Sequence, residues 1–108
     1  MQPARRKRAI YITDLRHFLD ASGAIGPIKG AARAMAQFQA AVVAHASDGT
    51  GQLSAAPRCV KCRKHAVEAA VARDAAIVWR CPVCRVEGRT SNWQGSLWDL
   101  RDRPTRRA

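Results

Sequence analysis

The amino-acid sequence predicts an α+β protein, in which an N-terminal helical segment is followed by a small three-stranded antiparallel sheet. Three observations lead to this prediction. Apolar residues between positions 28 and 46 recur at helical spacing, residues 67–71 alternate as a strand does and precede a β-prone run at 77–79, and two C-x-x-C pairs bracket this stretch. The chain of 108 residues suffices for one ordinary domain or two very small ones. We predict two folded segments, 9–48 and 57–100, between two basic ends.

The first eight residues are predicted to form a disordered basic arm. They contain Arg5, Arg6, Lys7 and Arg8 and no apolar pattern that would support a fold. No apolar signal-peptide core follows this stretch, and no apolar run in the chain is long enough to span a bilayer. We therefore expect a cytoplasmic protein without a membrane partner, in a compartment where thiols stay reduced.

The segment 9–48 is predicted to be mainly helical. A short β-prone run, AIYIT, precedes a short helix, DLRHFLD, which its own first residue or the preceding threonine can cap. After a break that contains glycine and proline, Ile28, Met35 and Val42 repeat at a spacing of seven, which indicates a helix over about 28–46. The apolar stripe of this helix either packs in a core or docks a partner protein.

Residues 66–79, between the two cysteine pairs, admit two interpretations. Their sequence, AVEAAVARDAAIVW, is rich in alanine, which favours a helix. However, Val67, Ala69 and Val71 alternate, Arg-Asp can form a turn, and β-prone residues follow at 77–79. We predict a hairpin, because an out-and-back hairpin returns the second cysteine pair to the first.

Four cysteines supply the strongest functional signal: Cys59, Cys62, Cys81 and Cys84. They form two C-x-x-C pairs with 18 residues between them, a spacing typical of four thiolates that hold one zinc ion. Four protein ligands leave no coordination position for a reacting water, and the chain contains no other active-site motif. We therefore predict one structural Zn2+ and no enzymatic activity. Iron in the same site, disulfides and a thioredoxin-like redox pair are weaker alternatives.

The two C-x-x-C turns, called the first and second knuckle below, are rich in basic residues. Lys61, Arg63, Lys64 and Arg85 lie within or beside them, where they can offset the negative charge of a four-thiolate zinc site. Arg63 and Arg85 occupy positions that often hold glycine, because the backbone there tends toward positive φ. His65 is predicted not to bind the metal, since four thiolates already complete its coordination.

All three tryptophans lie in the C-terminal third of the chain. Trp79, Trp93 and Trp98 are predicted to form the core of the metal-bound unit, because they bring large apolar area to a segment poor in other bulky residues. Gly95 permits a sharp turn between the last two, and Asp99 can accept a hydrogen bond from an indole or a backbone amide. The alternative is that one or two of the tryptophans stack on unpaired bases.

Residues 59–98 resemble a zinc ribbon, in which knuckle, hairpin, knuckle and third strand follow one another. More narrowly, YITDLRHFLD, GPIKG and CPVCRVEGRTSNWQGSLWDL resemble a family of short, uncharacterised bacterial proteins. That family typically reads C-P-x-C-G, a glycine, and S-x-W-x-G-T-x-W-D, from which this chain departs at Arg85 and Ser96. The matching positions are Cys81, Pro82, Cys84, Gly88, Ser91, Trp93, Gly95, Trp98 and Asp99. The resemblance implies a zinc-ribbon fold over 57–100 and a bacterial origin, and it implies no particular activity.

The charge of the chain points to a class of partner. The formal net charge is +11, from 19 basic and 8 acidic residues, and such an excess favours a polyanion such as nucleic acid. We predict that the ribbon face, the basic arm and a basic tail over 101–108 bind nucleic acid. The residues predicted to contact phosphates are Arg5, Arg6, Lys7, Arg8, Arg101, Arg103, Arg106 and Arg107.

The main alternative is a protein–protein adaptor that docks its partner through the apolar helix 28–46. In that case the positive charge serves only solubility. The two hypotheses differ in their dependence on salt, because phosphate contacts weaken steeply as salt rises and apolar docking does not. The sequence implies no small-molecule substrate under either hypothesis.

Overall fold

The computed structural model describes residues 10–50 and 54–101 of the chain. The arm predicted over 1–8 and the tail residues Arg103, Arg106 and Arg107 lie outside the described residues. The elements are, in order, β1 (Ile10–Asp14), a 3-10 helix (Leu15–Phe18), α1 (Gly30–Ser47), β2 (Glu68–Val71), β3 (Ile77–Arg80) and β4 (Glu87–Ser91). The predicted α+β class is therefore confirmed.

The four strands form one mixed sheet with the order β1-β4-β3-β2. β3 pairs antiparallel with both β2 and β4, whereas β1 runs parallel to β4. The prediction of three antiparallel strands is therefore wrong in strand number and strand order. The β-prone run at 10–14 covers the edge of β4, whose backbone N–H and C=O groups would otherwise lack partners in the sheet.

The stretch between the cysteine pairs is a hairpin, as predicted, and not an alanine-rich helix. β2 and β3 pair antiparallel, and the Ala72 amide donates to the Ala76 carbonyl at 2.8 Å across the turn. Val67 and Ile77 are 3% and 0% exposed. Burial of these two side chains against the rest of the fold outweighs the weak helical preference of alanine.

The helical segments differ from the prediction in their extent. α1 begins at Gly30, where φ is +75°, so that Ile28 precedes the helix and is 79% exposed. The short helix DLRHFLD is a single 3-10 turn, and the Asp14 carboxylate caps it by accepting a hydrogen bond from the Arg16 amide at 2.9 Å. No helix in residues 10–50 and 54–101 is long and apolar enough to cross a bilayer.

α1 packs on β2 and β3, and one core lies between the helix and the sheet. The segments predicted as two folded units, 9–48 and 57–100, share this core and this sheet. The buried apolar residues, which come from both segments, are Leu15, Phe38, Val42, Val43, Cys59, Val67, Ile77, Trp79, Cys81, Val86 and Trp93. The two segments therefore stabilise each other.

A buried polar pair links the helix to the sheet. The Thr90 hydroxyl of β4 donates to the Gln39 side-chain carbonyl of α1 at 2.6 Å, and both residues are 0% exposed. Buried polar groups strongly favour the arrangement in which they bond to each other, because neither can form a hydrogen bond to water instead. This pair fixes the position of α1 along the sheet.

Trp79 of β3 occupies the centre of the core. Its indole meets the Phe38 ring edge-on, with a centroid distance of 4.8 Å and an interplanar angle of 77°, and lies 5.8 Å from the Tyr11 ring. On the sheet, Trp79 pairs with Ala69 on one side and Gly88 on the other. The small neighbours leave room for the indole to lie across the sheet, between α1 and β1.

The other two tryptophans follow β4 and differ in burial. Trp93 is 1% exposed, and its indole N–H donates to the Ala75 carbonyl in the hairpin turn at 2.7 Å. Trp98 is half-buried at the margin of the core, where its carbonyl accepts from the Ser47 hydroxyl at 3.2 Å. Two of the three predicted core tryptophans are therefore buried. The third, Trp98, contacts the last residue of α1 through its backbone carbonyl.

Candidate metal centre

The two knuckles have the same type of backbone turn. The Cys59 carbonyl accepts from the Arg63 amide at 2.9 Å in the first knuckle, and the Cys81 carbonyl accepts from the Arg85 amide at 3.0 Å in the second. Arg63 and Arg85 have φ values of 58° and 68°, as predicted for these two positions. The turn requires this left-handed backbone, which arginine adopts at a cost that glycine avoids.

The hairpin brings the knuckles together. The first knuckle precedes β2 and the second follows β3, and the pairing of Glu68 with Arg80 places the two knuckles at the same end of the hairpin. An isolated antiparallel β-bridge between Arg58 and Ala66 joins the residues on either side of the first knuckle. The predicted role of the hairpin, to return the second cysteine pair to the first, is confirmed.

The sulfur atoms of Cys59, Cys62, Cys81 and Cys84 all lie within 4.8 Å of one another. The Cys59 and Cys84 sulfurs are 3.6 Å apart, and those of Cys62 and Cys81 are 3.8 Å apart. A tetrahedron of metal–sulfur bonds of about 2.3 Å has edges of about 3.8 Å, so the spacing fits a four-coordinate ion. The spacing is far longer than a disulfide bond of about 2.05 Å. Four cysteines are thus positioned to hold one metal ion.

The cluster consists of the four predicted cysteines alone. Among the described residues, no other group of His, Cys, Asp or Glu side chains converges in this way, and His65 is not part of the cluster. Cys59 and Cys81 are 1% and 0% exposed, whereas their partners are half-buried. One side of the centre therefore lies in the core and the other faces the surface.

Backbone amides point at the sulfurs. The Cys59 sulfur accepts from the amides of Lys61 and Cys62 at 3.3 and 3.5 Å, and the Cys81 sulfur accepts from the Cys84 amide at 3.4 Å. Such donors favour the thiolate over the thiol. The chemistry of the donor set therefore fits a metal ion, since thiolates are the form of cysteine that binds one.

The four thiols cannot all ionise easily without a cation. The Lys64 amide lowers the pKa of Cys62 to about 7, although burial opposes ionisation. The Val86 amide also lowers the pKa of Cys84, but burial and the neighbouring thiols together outweigh it and raise the pKa to about 11. A divalent cation would supply the missing positive charge, and its binding would release protons.

The basic residues of the sheet, and Arg101 after the last strand, are paired with carboxylates. These pairs are Arg80 with Glu68 at 3.0 Å, Arg89 with Asp74, and Arg101 with Asp99 at 2.7 Å. By contrast, the four exposed knuckle cations form no ion pair within the described part of the chain: Lys61, Arg63, Lys64 and Arg85. Carboxylates of the described residues therefore do not balance the knuckle cations, and the negative charge of a four-thiolate zinc site would offset only part of their positive charge.

The Arg101 side chain, which was predicted to contact phosphate, binds other residues of the same chain. Its guanidinium forms two hydrogen bonds to Asp99, at 2.9 and 2.7 Å, and lies 4.8 Å from the centre of the Trp93 ring. The Arg101 side chain is the main cause of the low pKa of Asp99, which is about 2. Asp99 also accepts from the Gly95 amide at 2.8 Å, so that of the two donors predicted for it, an indole or a backbone amide, the structure shows the backbone amide. Arg101 thus closes the turn after β4.

The apolar stripe of the helix packs in part against other residues of the same chain. Phe38 and Val42 are 7% and 0% exposed and pack in the core. The exposed residues in the first half of α1 include Ala31, Ala32 and Ala34, which offer little apolar area. Of the stripe that the adaptor hypothesis requires, Val42 is therefore covered in the core, Met35 is half-buried, and Ile28 lies exposed before the helix begins.

A surface feature that the sequence did not reveal lies beside the metal centre. A groove of about 450 Å³ separates α1 from the first knuckle, and Cys59 forms part of its lining. The groove arises where the helix passes the knuckle, and no local pattern in the sequence signals that contact. The groove places apolar surface directly beside Arg58 and Arg63, which form no ion pair with a carboxylate of the described residues.

Comparison of the chain with protein-family models, with curated proteins and with solved structures finds no match. The resemblance of the knuckle and tryptophan motifs to bacterial zinc ribbons therefore stays a prediction. What the four cysteines and the basic surface do is inferred from their geometry in this chain.

The positive φ at the knuckles leads to a prediction for stability. Arg63→Gly and Arg85→Gly should each raise the free energy of unfolding of the metal-loaded protein by about 1 kcal/mol, because glycine adopts the left-handed backbone without strain. Denaturant unfolding measures the change. The matched controls are Arg63→Ala and Arg85→Ala, which remove the same charge and keep the strain. A gain of equal size from alanine would show that charge, and not the backbone, is responsible.

Proposed function

We propose that this chain is a small zinc-binding module of the zinc-ribbon type, which binds nucleic acid with its basic surface and basic ends. The spacing of the four sulfurs, which is 3.6 Å between Cys59 and Cys84, 3.8 Å between Cys62 and Cys81 and within 4.8 Å for all pairs, carries the first part of the proposal. Zinc prefers tetrahedral thiolate coordination and brings no redox chemistry. Free, reduced cysteines are in keeping with a cytoplasmic protein.

The zinc ion is structural in this proposal. Cys59, Cys62, Cys81 and Cys84 hold it and complete its coordination, so that no position is left for a reacting water. The ion would supply positive charge for four thiolates and would cross-link the two ends of the hairpin. Nothing in this arrangement calls for an enzymatic role.

Nucleic acid is the proposed partner because of where the positive charge lies. The chain carries a formal charge of +11, and the knuckle cations are free of carboxylate partners within the described residues. Residues 1–8 and 102–108 hold seven further basic residues and one acidic residue. Phosphate contacts by such side chains release counterions and give affinity that does not depend on sequence.

A salt titration tests this proposal. The metal-loaded chain should bind a labelled oligonucleotide at about 50 mM salt and lose at least about tenfold in affinity by about 200 mM. Deletion of both basic ends, 1–8 and 102–108, should weaken binding and flatten the plot of log affinity against log salt, because fewer counterions are released.

The controls are zinc content and the near-UV spectrum, which the deletion should leave unchanged. Equal salt slopes for the full and the shortened chain would exclude the ends as phosphate contacts. Failure of the full chain to bind at low salt would exclude nucleic acid altogether.

A further inference from the structure

The groove between α1 and the first knuckle combines apolar and cationic lining. Its apolar residues include Phe38, Ala41 and Val60, and its basic residues are Arg58 and Arg63. Both arginines are exposed. A volume of about 450 Å³ is in the range of sites that hold a small organic group.

The charge around the groove is of one sign. No Asp or Glu residue is among the residues that line it, and Lys61 and Lys64 stand in the same knuckle. The Arg58 guanidinium donates to the Lys64 carbonyl at 3.0 Å, which holds it against the knuckle without neutralising it. An occupant must therefore offer negative charge together with an apolar surface.

We propose that this groove binds an unpaired segment of nucleic acid, with a base against the apolar lining and the adjoining phosphates on Arg58 and Arg63. The proposal rests on the proposed function and names the site of contact. An unpaired base offers a flat apolar face that a duplex hides within its stack, and guanidinium groups match phosphate oxygens in a two-pronged geometry. An acidic peptide would be a different occupant, which the experiment below distinguishes.

The metal centre and this groove are coupled. Cys59 lines the groove, and Arg58, Val60 and Arg63 belong to the knuckle that Cys59 and its partner sulfurs fix in place. Loss of the metal would leave the knuckle side of the groove without a fixed position. Binding of an unpaired strand should therefore require the loaded metal centre, whereas contacts made by the basic ends should not.

Two alanines on the exposed part of α1 provide a matched test. Ala34 lines the groove and Ala32 does not, and both are exposed. Ala34→Glu and Ala32→Glu change the net charge equally, and only the first puts a carboxylate in the groove. Fluorescence anisotropy with a labelled single-stranded oligonucleotide should show about tenfold weaker binding for Ala34→Glu than for Ala32→Glu.

A second matched pair uses the knuckles. Arg63→Gly and Arg85→Gly relax the same positive φ and remove the same charge, but only Arg63 lines the groove. Arg63→Gly should weaken single-strand binding several-fold more than Arg85→Gly. This pair decides the question if a glutamate on α1 disturbs the fold, which zinc content and the near-UV spectrum would reveal.

The outcomes separate this inference from the proposed function. Equal effects within both matched pairs, with wild-type protein still binding, would overturn the groove and leave nucleic-acid binding in place. Equal affinity for a duplex of the same length, with the same loss in Ala34→Glu, would overturn the unpaired-base contact. Binding of a labelled acidic peptide that Ala34→Glu abolishes, with no binding of either oligonucleotide, would overturn both.

Discussion

Removal of the metal is expected to unfold the whole described chain, and not only the half that carries the cysteines. Cys59 and Cys81 are buried in the same core as Phe38, Val42 and Trp79. Structural zinc contributes roughly 10–16 kcal/mol of apparent binding free energy in small peptides, which is as large as the total stability of about 5–15 kcal/mol of an ordinary domain. If the two segments were independent, α1 would survive loss of the metal.

The measurement begins with elemental analysis of protein purified without added metal, which should give one equivalent of zinc. A strong chelator is then titrated while helical far-UV and tryptophan near-UV circular dichroism are followed. Both signals should fall together, and Cys81→Ser should give the same unfolded spectrum without chelator. Iron as the main metal would refute the zinc assignment. Loss of the tryptophan signal with a persistent helix would refute the shared dependence on the metal.

Gly88→Ala is expected to destabilise the metal-loaded protein by about 3 kcal/mol, as severe overpacking of a core does. A Cβ at position 88 would lie 2.6 Å from two ring carbons and 2.7 Å from the indole nitrogen of Trp79. The indole cannot move aside, because the Phe38 and Tyr11 rings contact it from other directions. Denaturant unfolding of the loaded protein gives the change in free energy.

Two comparisons make this prediction specific. Gly49→Ala, where an added Cβ meets nothing within 4 Å, should change stability by less than about 0.5 kcal/mol. In a Trp79→Leu background, which lacks the indole, the cost of Gly88→Ala should shrink to less than half, because the two positions are coupled. An equal cost in both backgrounds would show that the indole is not the obstacle.

The location of the candidate metal centre could be predicted from sequence because the cysteine turns are determined locally. Two residues between cysteines let the backbone turn so that both sulfurs face one point, and the positive φ of Arg63 and Arg85 belongs to the same turn. The hairpin was predictable for a related reason, since only an out-and-back path joins the two knuckles. For the knuckles a short stretch of chain contains the whole physical cause, whereas the hairpin also depends on the burial of Val67 and Ile77 against the rest of the fold.

The parallel pairing of β1 with β4 could not be predicted in this way. The pattern AIYIT identifies a strand, but the partner edge lies more than seventy residues away, and nothing in either strand encodes the match. The pairing of Arg101 with Asp99 and its contact with Trp93 are likewise a result of how the C-terminal turn folds back. The sequence indicated a free basic tail from that residue onward.

Four cysteines spaced to hold one metal ion, a hairpin between the two pairs and an excess of positive charge were all predictable from the sequence. Which basic residues are paired with carboxylates, and the need for glycine at position 88 beneath Trp79, became visible in the folded chain. The tertiary structure also decided that part of the apolar stripe of α1 serves the core and that a groove remains beside the first knuckle. The physical reason is that ligand spacing and turns act within a few residues, whereas ion pairing, close packing and surface shape depend on which distant segments come into contact.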